Sequence, residues 1–186
     1  MKGASACSVL LLVVHLSLLN NALMVFAVDP TQGFTNVPLT PSSFIYQKPY
    51  NIPLEKRYSF NHGVRRFWVY ANDLPFERGS NTRPRTEVQI KGNTTILLRI
   101  YNGDMRYYNG EVIATDLYDK WFKVNLIHNV DQGKVMVYIN NVKKFESHDE
   151  GPGNLYFKCG VYGAPSDTSR YMESRWREIK IYKKES

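Results

Sequence analysis

The chain has 186 residues, with 24 lysine and arginine residues against 17 aspartate and glutamate residues and a formal net charge of +7. With 43% hydrophobic residues, it is long enough to bury the core of one domain. The basic residues are spread along the chain and do not form one run, which argues against nucleic acid as a partner. A moderate positive charge favours anionic partners such as acidic sugars or small carboxylates.

Residues 1–27 are predicted to be a signal peptide. A positive start at Lys2 precedes a mainly apolar core at residues 9–19, and Val25-Phe26-Ala27 has the small or apolar residues that signal peptidase reads. The alternative, a membrane anchor, is disfavoured because the apolar run is short for a span. Cleavage leaves residues 28–186 as a single soluble domain with a net charge of +6 and no transmembrane segment. We expect it in the secretory pathway, the cell wall or the vacuole.

The mature chain has few residues that suit metal or thiol chemistry. Cys7 leaves with the signal peptide, so Cys159 stands alone and is predicted to be a buried, inert thiol. The histidines have no metal-ligand spacing, and we expect neither a metal nor a cofactor. Asn93-Thr94-Thr95 is a sequon for N-glycosylation at Asn93, provided that its turn faces solvent.

Strand patterns dominate the mature chain, and no stretch of useful length has helical periodicity. Residues 28–57, rich in Pro, Thr, Ser and Asn, predict an extended lead-in. Strands are then predicted at residues 58–60, 66–70, 85–90, 95–101, 105–108, 111–114, 120–129, 134–140, 142–147, 155–162 and 173–183. Asn102-Gly103 is a hairpin signal, and Asn140-Asn141 predicts another turn. Many short strands with regularly spaced turns predict an all-β sandwich or jelly roll.

Two of these strands alternate between polar and apolar residues, so that each has one polar face. The polar positions are Tyr156, Lys158 and Tyr162 in one strand and Arg85, Glu87 and Gln89 in the other. Such a face of Arg, Glu, Gln, Lys and Tyr suits a polar or anionic ligand. A solvated sheet face without a ligand is the alternative, because half-exposed antiparallel sheets are common.

Several motifs together resemble one family. They are Asp29-Pro30-Thr31-Gln32-Gly33-Phe34, Gln47-Lys48-Pro49-Tyr50, Pro84-Arg85-Thr86-Glu87, Arg99-Ile100-Tyr101-Asn102-Gly103, Tyr156-Phe157-Lys158-Cys159-Gly160-Val161-Tyr162 and Tyr171-Met172-Glu173-Ser174-Arg175-Trp176. With these motifs, essentially the whole mature chain resembles the plant citrate-binding-protein-like family. That family carries an alginate-lyase-like domain of polysaccharide lyase family seven. The resemblance implies an antiparallel β-jelly roll, a concanavalin A-like sandwich.

The resemblance also implies roles for individual residues. In the lyases of this family, an Arg-Thr-Glu motif binds and neutralises the uronate carboxylate, and a Tyr-Phe-Lys-x-Gly-x-Tyr motif supplies the catalytic tyrosine. By position, Arg85 matches the carboxylate-binding arginine and Glu87 its motif partner. Lys158 matches the substrate-contacting lysine and Tyr162 the catalytic tyrosine. With Gln89 beside them, these residues form the predicted ligand-binding site.

One motif of the lyases, Gln-Ile-His, is absent. The nearest string is Gln89-Ile90-Lys91, which begins four residues after Arg85. One explanation is an internal deletion after Arg-Thr-Glu, which would remove one or two strands of the sandwich. The other is that Gln89 replaces a second arginine of the first motif. In both cases the histidine that helps neutralise the substrate and supplies the base in these lyases has no counterpart.

Three functions follow as hypotheses. The favoured one is a monomeric module that binds citrate, another polycarboxylate or an acidic polysaccharide without chemistry. The second is a polysaccharide lyase acting on uronate-containing glycans by β-elimination, with Tyr162 and Arg85 as catalytic residues. That reaction needs a neutralised carboxylate, a base and an acid, and the missing histidine counts against it. The third is a structural role or a fragment without function.

Overall fold

The computed structural model describes residues 27–74, 86–91, 96–151, 156–161 and 170–184, and only the backbone of residues 86–91. The strands in these ranges are β1 (Thr35–Val37), β2 (Tyr58–Asn61), β3 (Val64–Tyr70), β4 (Thr86–Lys91), β5 (Ile96–Tyr101), β6 (Asp104–Tyr107), β7 (Val112–Ala114), β8 (Val124–Asn129), β9 (Lys134–Ile139), β10 (Val142–His148), β11 (Tyr156–Val161), β12 (Tyr171–Trp176) and β13 (Ile181–Lys183). Two single-turn 3₁₀ helices, Pro41–Ser43 and Leu54–Lys56, lie in the lead-in. No helix among the described residues has the length and apolar character needed to cross a membrane.

The strands form four sheets. Their orders are β1-β13, β10-β9-β8, β11-β4-β5-β6-β7 and β12-β3-β2. Every strand pair in them is antiparallel. The prediction of an all-β antiparallel jelly-roll sandwich is confirmed. The residues predicted as a signal peptide, apart from Ala27, and the Asn93 sequon lie outside the described residues.

The main core lies between the five-stranded sheet and the sheet β10-β9-β8. On β9, Val135, Val137 and Ile139 are buried and alternate with partly exposed residues, as the period-two pattern requires. They belong to one cluster with residues of β5, β6, β7 and β10, namely Ile96, Leu98, Met105, Ile113 and Phe145. Burying one such side chain contributes roughly 1.5–3 kcal/mol, so these two sheets hold the sandwich together.

The two predicted turns are present and have the backbone geometry that their sequences favour. Asn102 and Gly103 join β5 to β6 with φ angles of 50° and 82°. Asn140 and Asn141 join β9 to β10 with φ angles of 50° and 67°. Two consecutive positive φ angles match the twist of a tight hairpin, and asparagine and glycine tolerate them best.

The last predicted strand, residues 173–183, was wrong as a single element. The structure has two strands there, β12 and β13, separated by residues 177–180. Glu178 in this link has a φ of 53°, a left-handed conformation that an extended strand cannot contain. The break lets β12 pair with β3 and β13 pair with β1.

Candidate functional site

The two strands that carry the predicted site residues are neighbours in the five-stranded sheet. In the antiparallel register of β11 and β4, Lys158 is opposite Gln89 and Gly160 is opposite Glu87. Directly opposed residues of an antiparallel pair lie on the same face of the sheet. The register therefore brings three predicted positions, Glu87, Gln89 and Lys158, to one face, which we call the polar face.

The polar face continues across the next two strands. Glu87 on β4 is opposite Arg99 on β5, and Arg99 is opposite Arg106 on β6. The guanidinium of Arg106 donates to Asp104 Oδ2 at 3.1 Å, and that of Arg99 donates to Asn109 Oδ1 at 2.5 Å. The two arginines were not predicted as site residues. The alternation of Leu98, Arg99 and Ile100 could have indicated that Arg99 lies on the polar face, because Leu98 and Ile100 lie on the core side.

Gln47 and Tyr156 are neighbours of the Lys158 side chain. Its Nζ donates to Gln47 Oε1 at 2.9 Å, and it lies 5.6 Å from the centroid of the Tyr156 ring. Gln47 belongs to the lead-in, in one of the motifs that carried the family resemblance. This hydrogen bond helps to orient the ammonium. An ammonium has three N–H donors and suits an anionic ligand.

Arg85 and Tyr162 lie outside the described residues. In the sequence, Arg85 directly precedes Thr86, and Tyr162 directly follows Val161. Thr86 and Val161 are the last described pair of β4 and β11. That Arg85, Lys158 and Tyr162 converge on one face therefore stays a prediction.

An aromatic layer packs beside Lys158. The Tyr58 hydroxyl donates to the Tyr46 hydroxyl at 3.2 Å, with ring centroids 4.6 Å apart, and the Tyr58 ring is 5.0 Å from that of Phe67. Phe67 covers Gly160, where a Cβ atom would lie 3.7 Å from Phe67 Cγ. The tyrosine and phenylalanine rings thus connect the lead-in and β3 to β11.

Arg65 lies at the far end of this layer, two residues before Phe67 on β3. Its Cζ is 4.1 Å from the centroid of the Phe44 ring and 4.5 Å from that of Phe60. Its Nε is buried, and its guanidinium has no hydrogen bond or ion pair with any residue that the structure describes. Sequence reasoning missed Arg65, although its alternation with Arg66 places the two arginines on opposite faces of β3.

Arg66, on the other face of β3, has polar partners, although its buried Nε has no acceptor among the described residues. Its guanidinium donates to Glu173 at 2.7 Å and to the Tyr171 hydroxyl at 3.0 Å. The hydrogen bond from Arg66 is the main reason that the pKa of Glu173 falls from 4.5 to about 2. Arg175 donates to the same carboxylate at 2.5 Å. These hydrogen bonds connect β3 to β12 and stabilise their pairing.

Cys159 points away from the polar face, as its position on the strand predicts. It is partly exposed by surface area, yet burial raises the pKa of its thiol to about 12. A protonated thiol is neither a good nucleophile nor a good metal ligand, which supports the prediction of an inert cysteine. No group of three or more potential metal-ligating side chains occurs in the described ranges.

A large open cleft of about 1970 Å³ lies next to the site and was not predicted. Residues of β8, β12 and the segment leading to β13 contribute most of its lining. Tyr156 and Phe157 of β11 also line the cleft, whereas Lys158 does not. The cleft therefore meets the polar face at Tyr156.

Comparison with known proteins agrees with this architecture. The family model described as alginate lyase matches residues 89–183. A citrate-binding protein from Hevea brasiliensis is 46% identical to this chain over 192 aligned positions, which cover 85% of the chain and 81% of the relative. The chain therefore belongs to the citrate-binding-protein-like family with an alginate-lyase-type domain. No solved structure matches it significantly.

The alignment also bears on the length of the chain. The 192 aligned positions exceed the 158 or so residues that 85% of a 186-residue chain provides. Roughly 34 positions of the relative thus have no counterpart here. The family match begins at Gln89, inside β4 and four residues after Arg85. These findings favour an internal deletion over replacement of a single motif residue.

Proposed function

We propose that the polar face binds a carboxylate ligand, citrate or an acidic glycan, without catalysis. The observation that carries the proposal is the position of Lys158, which lies opposite Gln89 and donates a hydrogen bond to Gln47. Arg99 and Arg106 lie on the same face of the sheet. The name of the Hevea brasiliensis relative supports citrate as a ligand.

Arg85 and Tyr162 complete the site in this proposal. Arginine can bind a carboxylate with two parallel N–H donors, and a tyrosine hydroxyl can donate one more hydrogen bond. Glu87 and Gln89 would then contact hydroxyl groups of the ligand. The paired backbone of Thr86 and Val161, which adjoin these two residues in sequence, supports their proximity.

Titration of the mature chain with citrate tests the proposal. Lys158→Gln should weaken citrate binding by about tenfold to a hundredfold, since hydrogen bonds to charged groups contribute ~1.5–3 kcal/mol. Lys143→Gln is a matched control, because Lys143 pairs with Glu146 on β10, away from the polar face. Equal affinities for the unmodified chain and Lys158→Gln would contradict the proposed site.

A lyase is the second candidate, and the alginate lyase match over residues 89–183 favours it. The match includes Lys158 and Tyr162. A tyrosine with a reference pKa of ~10 is a poor base unless positive charge lowers that pKa. Lys91 stands nearest to the place of the missing histidine, but a protonated lysine has no lone pair for a proton. We therefore place binding ahead of lysis.

A further inference from the structure

We propose that the open cleft is a second binding site and that it holds a glycan of neutral sugars, which stack on Tyr118 and Trp121. This inference goes beyond the proposed function, because both the place and the class of ligand differ. The polar face is proposed to bind a carboxylate, and Lys158 does not line the cleft. Each site can therefore be tested without the other.

Two exposed aromatic side chains of the segment between β7 and β8 line the cleft. Tyr118 is 55% exposed and Trp121 is 49% exposed. The Arg177 guanidinium stacks on the Trp121 ring, with its Cζ 4.4 Å from the ring centroid, and about half of the Trp121 side chain still meets solvent. Burial of large aromatic side chains contributes strongly to folding. Rings left exposed together in an open cleft therefore indicate a surface that a ligand covers.

The segment that carries these two rings is held at both ends by hydrogen bonds. Near its start, the backbone N–H of Leu117 donates to a carbonyl of the β5–β6 turn at 2.9 Å. At its end, the Lys123 carbonyl accepts from the Asn140 backbone N–H at 2.9 Å. Asp116 and Asp119 have φ angles of 56° and 55°, a left-handed conformation that aspartate tolerates better than most residues. A segment held in this way presents its rings with little further loss of conformational entropy on binding.

Other aromatic rings line the same cleft. Tyr156 and Phe157 of β11 and Tyr171 of β12 are exposed and contribute to its lining. The face of a sugar ring carries C–H groups, which pack against the electron-rich face of an aromatic ring. The cleft, with about 1970 Å³, also exceeds the ~300–1,000 Å³ of a typical pocket for one small molecule. Several exposed rings in a cleft of this size favour a chain of sugars over a single one.

The charges of the cleft favour neutral sugars over acidic ones. Seven lysine and arginine residues and five aspartate and glutamate residues line it. Three of these cations already pair with carboxylates of the same chain, namely Lys120 with Asp116, Lys123 with Asp29 and Arg175 with Glu173. Apart from these pairs, the lining charges nearly balance, so the cleft has no marked attraction for an anionic chain. Asn102 and Asn125 also line it, and side-chain amides can donate to and accept from sugar hydroxyls.

The test titrates the mature chain with cellohexaose, xylohexaose and mannohexaose, followed by nuclear magnetic resonance, with hexagalacturonate as the acidic counterpart. We expect at least one neutral hexasaccharide to bind, and Trp121→Ala to weaken that binding by about threefold to tenfold. Phe60→Ala is the matched control. The Phe60 ring is 51% exposed and lies 4.5 Å from the Arg65 Cζ, but Phe60 does not line the cleft. Its removal should change the affinity less than about twofold.

The outcomes separate this inference from the proposed function. Lys158→Gln should weaken citrate binding and leave hexasaccharide binding unchanged. Absence of binding of all three neutral hexasaccharides, or an unchanged affinity in Trp121→Ala, would overturn the inference and leave the polar face untouched. Tighter binding of hexagalacturonate that also depends on Trp121 would overturn the neutral class of ligand. If Trp121→Ala does not fold, Tyr118→Ala takes its place with the same expectation, and an unchanged affinity in that variant would overturn the inference.

Discussion

Arg65 and Arg66 are neighbours in the sequence but have opposite environments. Arg66 has a carboxylate and a hydroxyl as partners, whereas the partners of Arg65 within the described ranges are the rings of Phe44 and Phe60. Strand alternation alone places them on opposite faces. Their partners could not be predicted, because Glu173 and Phe44 are far away in sequence and reach β3 only through the folded structure.

At the residue scale, Glu173 should make stability depend on acid pH. Its hydrogen bond from Arg66 lowers its pKa from 4.5 to about 2. A depressed folded-state pKa gives stability that is fully present above pH 4.5 and is lost as the pH falls toward 2. In Glu173→Gln this contribution is absent. We expect the loss of unfolding free energy in the variant to be largest above pH 4.5 and to shrink toward pH 2.

Urea unfolding at a series of pH values measures this difference. Glu55→Gln is the control, because Glu55 is exposed and has no ion pair with any part of the chain that the structure describes. A difference between unmodified chain and Glu173→Gln that stays constant from pH 7 to pH 2 would show that Arg66 does not stabilise the folded state through the ionised carboxylate.

At the scale of secondary-structure elements, turns and strand faces could be predicted from the local sequence, whereas strand partners could not. The hairpin turns at Asn102-Gly103 and Asn140-Asn141 were predictable because their residues favour positive φ. The faces of β4 and β11 were predictable from alternation. The partners and register of these strands were not, since pairing over about seventy residues depends on the whole sheet. The last predicted strand is interrupted at Glu178, which has a positive φ. No glycine or proline stands at this position to predict the break.

The candidate site shows the same limit. Lys158, Gln89 and Glu87 were predicted on one face, and the register agrees. Gln47 was not predicted as the partner of Lys158. The sequence of an extended lead-in does not indicate which strand the lead-in will contact. Arg99 and Arg106 were missed because the prediction relied on motif residues and not on the pattern of the neighbouring hairpin.

At the scale of the whole molecule, the chain is shorter than the relative over the aligned region. Roughly 34 positions of the Hevea brasiliensis relative are absent here, and no histidine stands in a Gln-Ile-His string. The sandwich nevertheless keeps an apolar core between two sheets and an open cleft of about 1970 Å³ beside the polar face.

We therefore expect the mature chain to release no unsaturated uronate ends from alginate, pectate or glucuronan. A positioned acid or base contributes about 10²–10⁴-fold to such reactions, and the residue that would share this role is missing. The absorbance of the unsaturated ends reports the reaction. Turnover that disappears in Tyr162→Phe would instead make the chain a lyase, with Tyr162 as a catalytic residue.

The most direct test of carboxylate binding on the polar face is a crystal structure of residues 28–186 grown with citrate. We predict a citrate carboxylate within hydrogen-bond distance of Lys158 Nζ, on the face shared with Gln89. Citrate bound only in the cleft, with no contact to Lys158, would contradict the proposed site.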